Sequence, residues 1–166
     1  MPARGGRGPD PELDPVLEFE PGDVVHLGGQ EAEYVEIRVQ SRSAGDDFHD
    51  GNWLRCEVEV AAGGFRARFP ANLRTDAFQR VHGEAAALYE SLTGNARFES
   101  TEGQLHLTLT GDGRGHIRLD GTVRDRPGSD NALDFRLDFD QTQLFGAVAK
   151  LDELLRRFPV RGEPPA

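Results

Sequence analysis

The residues best placed to do chemistry or recognition stand together in the run Asp46-Asp47-Phe48-His49-Asp50-Gly51-Asn52-Trp53. Its carboxylates could attract a cationic partner. Phe48 and Trp53, the only tryptophan, could anchor that partner, because aromatic side chains dominate the energetics of many interfaces. The same residues have a plain structural use. Asp50 and Asn52 suit a loop that bonds its own backbone, and Trp53 can enter the core. Asp125 and Asp130, on either side of Pro127-Gly128, form a second, sparser acidic loop. Asp46, Asp47, Phe48, Asp50, Trp53, Asp125 and Asp130 are therefore the candidate partner-binding residues.

Catalytic chemistry is harder to assemble. The five histidines, His26, His49, His82, His106 and His116, have no partners at metal-binding spacings, and a single cysteine cannot form a Cys pair. No metal and no other cofactor is expected. There is no Gly-x-Ser-x-Gly elbow. Cys56 shares strand parity with Leu54, Val58 and Val60, and reads as a small buried hydrophobe rather than a nucleophile. Gly111-Asp112-Gly113-Arg114-Gly115-His116 has the composition of a phosphate loop, but such a loop needs a helix N-terminus after it. Here a strand follows, so the run reads as a hairpin turn. A set of 29 acidic residues can always be paired somehow, so carboxylate pairs carry no weight. No catalytic residue is assigned, and the expectation is a protein that is not an enzyme.

The elements that must position these loops are legible from periodicity. Val24–Leu27, Tyr34–Gln40, Trp53–Val60, Phe65–Phe69, Ala96–Glu99, Leu105–Leu109, Ile117–Val123 and Leu133–Phe139 read as strands. If Val123 faces Leu133, Asp120 falls opposite Arg136 and Arg118 opposite Asp138. On the other face Leu119 meets Leu137 and Gly121 meets Phe135. The same logic sets Val60 against Phe65, Val58 against Ala67, Glu59 against Arg66 and Glu57 against Arg68. It also sets Leu107 against Leu119, His106 against Asp120 and Thr108 against Arg118. One helix starts at an N-cap Thr75, carries Phe78, Val81, Ala85, Leu88 and Leu92, and closes at Gly94. The other starts at Asp140, which with Gln143 has capping-box spacing, carries Leu144, Val148, Leu151, Leu155 and Phe158, and stops at Pro159.

This predicts an α+β fold: a mostly antiparallel meander sheet of about six to eight strands, with two amphipathic helices packed on one face. Residues 1–20 and 161–166 are expected to be disordered, and 21–160 to form a single domain. No internal repeat is visible. The net charge of −10 argues against nucleic-acid binding. No apolar run approaches the ~20 residues of a membrane span, and no secretory h-region is present, so a cytoplasmic location is expected.

Two segments carry a resemblance. Asp50-Gly51-Asn52-Trp53-Leu54 is similar to the Asp-x-Asn-Trp-Leu segment that opens the first long hairpin of immunity proteins of the WapI type. Leu155-Arg156-Arg157-Phe158-Pro159-Val160-Arg161 resembles that family's closing helix and Phe-Pro-x-Arg stop. The resemblance covers roughly Val35 to Arg161. It implies a small cytoplasmic protein that binds and neutralises a toxin domain, often an RNase. An acidic inhibitor would gain fast, salt-sensitive association with such a basic partner. Two other readings stay open. One is an enzyme or small-ligand-binding domain with a pocket between helices and sheet. The other is a homo-oligomer formed through an uncovered sheet edge or the charge-laddered face.

Overall fold

The alternation read from the sequence becomes eight strands and two helices in a computed structural model that describes residues 23–29 and 32–165. The expected disordered stretch 1–20 lies outside the described residues. In chain order the elements are β1 (Val24–Gly28), β2 (Tyr34–Arg42), β3 (Trp53–Ala62), β4 (Phe65–Arg74), α1 (Thr75–Ser91), β5 (Thr93–Glu99), β6 (Leu105–Asp112), β7 (His116–Arg124), β8 (Ala132–Asp140) and α2 (Gln141–Arg157).

All strand pairs are antiparallel, and the fold is α+β. The strands form two four-stranded meanders, β1-β2-β3-β4 and β5-β6-β7-β8, rather than one sheet. The 17-residue α1 stands between β4 and β5, so no tight hairpin joins them and the run of hairpins breaks there. Large twisted sheets also tend to split into packed layers. The element order repeats as four strands and a helix. Each helix packs on the opposite half: α1 lies against β5, α2 lies against β1, and the helices touch each other. The inner faces of both sheets and the helices share one core, with Val35, Leu54, Val58, Phe78, Leu119 and Leu144 wholly buried. Burying each such apolar side chain is worth about 1.5–3 kcal/mol.

The β7–β8 register is as expected: Val123 faces Leu133, Asp120 faces Arg136, and Arg118 faces Asp138. The other two hairpins keep their predicted faces but slip by two residues. Ala62 faces Phe65, Val60 faces Ala67 and Glu59 faces Arg68. Leu109 faces Leu119, Thr108 faces Asp120 and His106 faces Thr122. A two-residue slip leaves side-chain parity intact, so hydrophobic alternation cannot detect it. Turn chemistry decides instead. Gly63 adopts φ +58°, which allows a two-residue turn at Gly63-Gly64 and draws Ala61 and Ala62 into the strand. Glu57 still reaches Arg68, diagonally, at 2.7 Å.

The helix ends differ in part from expectation. α2 has the Asp140–Gln143 capping box. Its stripe is rotated: Ala147 and Leu154 are buried, whereas Val148, Leu155 and Phe158 are partly buried. Thr75 is not a cap. Arg74 holds the N-cap position, and the Thr75 N–H donates to the Asn52 carbonyl at 2.8 Å, tying the helix start to β3. α1 ends at Leu92, not Gly94, in the left-handed region at φ 62°. The Gly113 N–H holds that turn through the Leu92 carbonyl at 2.8 Å.

Candidate functional site

The loop 43–52 leaves β2 at Arg42, and the end of β2 is set by a bulge. Val39 faces Cys56 but Ser41 faces Arg55, so one extra residue enters β2 between them. The inserted residue reverses the parity of Ser41 and Arg42. Arg42 therefore lies opposite Leu54, on the side of the core, instead of among the outward charges. Its guanidinium turns under the loop. Nε donates to the Gly51 carbonyl at 2.9 Å and Nη2 to Asn52 Oδ1 at 3.0 Å.

Two further arginines reach the same loop from other parts of the chain. Arg74, at the junction of β4 and α1, is 8% exposed. It donates to the Phe48 carbonyl at 2.6 Å, the His49 carbonyl at 2.9 Å and Asp76 Oδ1 at 2.8 Å. Its guanidinium carbon also lies 5.0 Å from the Phe48 ring centre and 5.1 Å from that of Trp53. Arg161 arrives after α2. Its side chain donates to the carbonyls of Ser43 and Gly45, at 3.2 and 2.8 Å. Burial, and then the positive charge of Arg161, hold the Arg42 guanidinium below its ordinary pKa.

Asn52 joins these parts and is wholly buried. Its Oδ1 accepts from Arg42 and, at 2.8 Å, from the Arg161 N–H. Its Nδ2 donates to the carbonyls of Phe48 at 2.8 Å and Arg161 at 2.9 Å. The carboxamide thus uses both its acceptor and its donor ends, as a buried amide must. Gly51 is required beside it, since a Cβ there would lie 2.5 Å from the Gly45 carbonyl oxygen. Asp47 Oδ1 accepts from the Asp50 N–H at 2.6 Å and closes the tip. Asp46, Asp47 and Asp50 stay exposed. The loop is consequently a fixed acidic surface over a cationic frame that occupies its carbonyls.

The structure separates the remaining predicted residues into two groups. Phe48 and Trp53 are half-buried, each against Arg74. Trp53 does not enter the core. Asp125 and Asp130 are exposed on the β7–β8 connection. A hydrogen bond from Ser129, aided by Asn131 and Arg126, holds the Asp125 carboxyl below the usual range against the opposing effect of desolvation. Two adjoining depressions, each of about 360 Å³, run between the two loops. One includes Ser43 and Trp53, the other includes Asp125 and Pro127, and they share Arg55, Asn72 and Glu102. Asp130 is not part of either lining.

Other groups singled out in the sequence are engaged structurally. Cys56 is wholly buried, and desolvation pushes its thiol far up. His26 contacts Glu36 at 3.1 Å and the Gly29 carbonyl at 2.8 Å, and His116 contacts Asp138 at 2.9 Å. His106 lies 3.9 Å from Glu99. The Gly111–His116 run is a hairpin turn in which Asp112 Oδ1 accepts the N–H groups of Arg114 and His116. Among the described residues no three His, Cys, Asp or Glu side chains converge as a metal site would require. No helix among them is long and apolar enough to cross a membrane. The cavity between helices and sheets has wholly apolar walls and a volume of about 20 Å³, room for about one water.

The two segments that carried the resemblance therefore meet in space, through the bonds between Asn52 and Arg161. A family model supports the same grouping: that of the immunity protein WapI-like family matches residues 26–159. The chain belongs to this family. No curated protein gives a match. In this member of the family the motif residues are structural, because Asn52 and Arg161 shape the acidic loop from beneath. Sequence reasoning singles out the exposed acids and misses the frame. Arg42, Arg74 and Arg161 stand in the sequence, but nothing in their spacing marks them as a frame.

Proposed function

We propose that this WapI-like family member is a non-enzymatic, cytoplasmic inhibitor that binds and neutralises a toxin domain by covering its working surface. The partner is a basic domain, with a nuclease the best chemical fit, because an enzyme that holds phosphate needs cationic side chains. Family membership supports the inhibitory role, and the loop geometry supports the choice of partner. Asp46, Asp47 and Asp50 stand in solvent on a loop whose backbone is already clamped, so little conformational entropy would be lost when a cationic surface docks. Phe48 and Trp53, at the flank, and Asp125 and Asp130, across the depression, would extend the contact. The rival reading, a ligand domain with a pocket between helices and sheet, is less well served, because the cavity described above is small and wholly apolar.

The experiment is an association-rate measurement against a basic nuclease toxin domain that the chain protects against. Asp46→Lys and Asp50→Lys are combined with Asp47→Asn, which removes charge while keeping an acceptor for the Asp50 N–H. The expected result is an association rate at least ten-fold slower at low salt, with the difference shrinking as salt rises. An unchanged rate at low salt would remove this loop from the interface.

A further inference from the structure

Four strands end the two sheets, and three of them are guarded. β1 lies against α2, and β5 against α1. β4 contains Pro70, which has no N–H to offer, and the Pro70 carbonyl accepts from Gln104 Nε2 at 3.0 Å. β8 differs. It runs nine residues with no Pro, Gly or Lys and no register shift against β7, and among the described residues it pairs with β7 alone. A long, regular edge of this kind presents unpaired N–H and C=O groups to any strand that fits.

The side chains of β8 specify which strand fits. Asp134, Arg136 and Asp138 point outward, while Leu133, Phe135 and Leu137 share the inner face. Consider a second copy laid antiparallel about a two-fold axis at Phe135. Asp134 then faces Arg136 of the second copy, and symmetry supplies the reciprocal pair. Leu133 faces Leu137, and Phe135 meets its counterpart. Neighbouring axes fit less well. An axis at Arg136 opposes two guanidiniums and sets Asp134 against Asp138, and an axis at Leu137 pairs Arg136 with Asp138 but sets Asp134 against Asp140, whereas the Phe135 axis opposes no like charges within the strand.

The unfilled contacts lie at the same end of the strand. Asp120 has Arg118 and Arg136, and Asp138 has His116, whereas Asp134 receives only the Thr122 hydroxyl among the described residues, at 2.6 Å. Leu137 and Phe139 are 1% and 6% exposed, but Leu133 and Phe135 are only half-buried. We propose that the chain self-associates through β8 as a two-fold dimer, joining two four-stranded sheets into one of eight strands. The pairing supplies a cation for Asp134 and covers Leu133 and Phe135. It does not depend on the inhibitory role.

The test is light-scattering mass across a concentration series of the full chain, with melting curves as a fold control. The wild type is expected as a dimer. Asp134→Arg alone sets two arginines against each other, and Arg136→Asp alone sets two aspartates against each other, so each variant is expected to lose the dimer. Mixed in equal amounts, the two variants restore both opposed pairs and are expected to form a heterodimer. This arm keeps the test sharp even though Arg136→Asp also loses its bond to Asp120. A monomeric wild type, single variants that dimerise like the wild type, or a mixture that stays monomeric would each overturn the proposal. If the wild type is monomeric and both variants lose toxin binding, the proposal is overturned and the edge serves a strand of the toxin.

Discussion

Replacing Asn52 with Ala should test the loop frame most directly. The change deletes four side-chain hydrogen bonds at a wholly buried position. Three involve neutral partners, worth about 1 kcal/mol net each, and the one from Arg42 is charge-assisted, worth about 1.5–3 kcal/mol. These do not simply add. The Phe48 carbonyl keeps its bond from Arg74, Arg42 keeps the Gly51 carbonyl, and half-buried Arg161 can recover water. A loss of about 3 kcal/mol is therefore expected. At ~2–4 °C per kcal/mol for a domain of this size, the melting temperature should fall by about 6–12 °C. Urea unfolding followed by the fluorescence of Trp53, the only tryptophan, would measure it beside the loop itself. The same change in a chain ending at Val160, where the Arg161 partners are already gone, should cost only about 1–2 kcal/mol, since interacting sites are non-additive. A loss below about 1 kcal/mol in the full chain, or equal losses in both chains, would refute the joining role of Asn52.

Three further outcomes are expected from the geometry. Gly111→Ala should destabilise more than Gly121→Ala in thermal melts: the new Cβ would meet the Leu92 carbonyl oxygen at 2.3 Å in the first case and the movable ring of half-buried Phe135 at 2.3 Å in the second. Equal losses would show that the ring cannot move. Glu36 is raised by desolvation, but hydrogen bonds and charge from His26 and Arg38 outweigh this and leave its carboxyl below the ordinary value of 4.5. Its stabilising effect is therefore present above pH 4.5 and lost as pH falls through the lowered value, so the stability gap between wild type and Glu36→Gln should close in acid unfolding experiments. Native Cys56 should resist thiol reagents and react only on unfolding, because the buried thiol is held protonated; rapid labelling of the native chain would contradict its placement.

The parts of the fold that repeat at short range were legible. Period-two alternation marked the strands, and the Asp140–Gln143 spacing marked the start of α2. The β7–β8 charges fixed one hairpin outright, since only one register pairs Asp120 with Arg136 and Arg118 with Asp138. The β3–β4 register was not legible, because Glu57 and Glu59 are alike, as are Arg66 and Arg68. The two-residue shift keeps one directly opposed pair, Glu59 with Arg68, and leaves Glu57 to reach Arg68 diagonally, so exposed charges discriminate weakly and the turn decides.

The candidate loop shows the same division. Its acids and aromatics could be named from composition, because exposure follows from charge and the loop is contiguous. Arg42, Arg74 and Arg161 could not, since their role depends on meeting places rather than on spacing. A bulge turns Arg42 inward, a strand-to-helix junction presents Arg74, and the end of α2 returns Arg161 to Asn52 across 109 residues. By itself, then, the sequence determined the local geometry, the sign of the surface charge and which face of each strand is apolar. Only tertiary packing decided that the strands form two sheets, that each helix packs on the other half, and which cations hold the acidic loop. Those outcomes rest on contacts between segments far apart in the chain, and no local pattern encodes them.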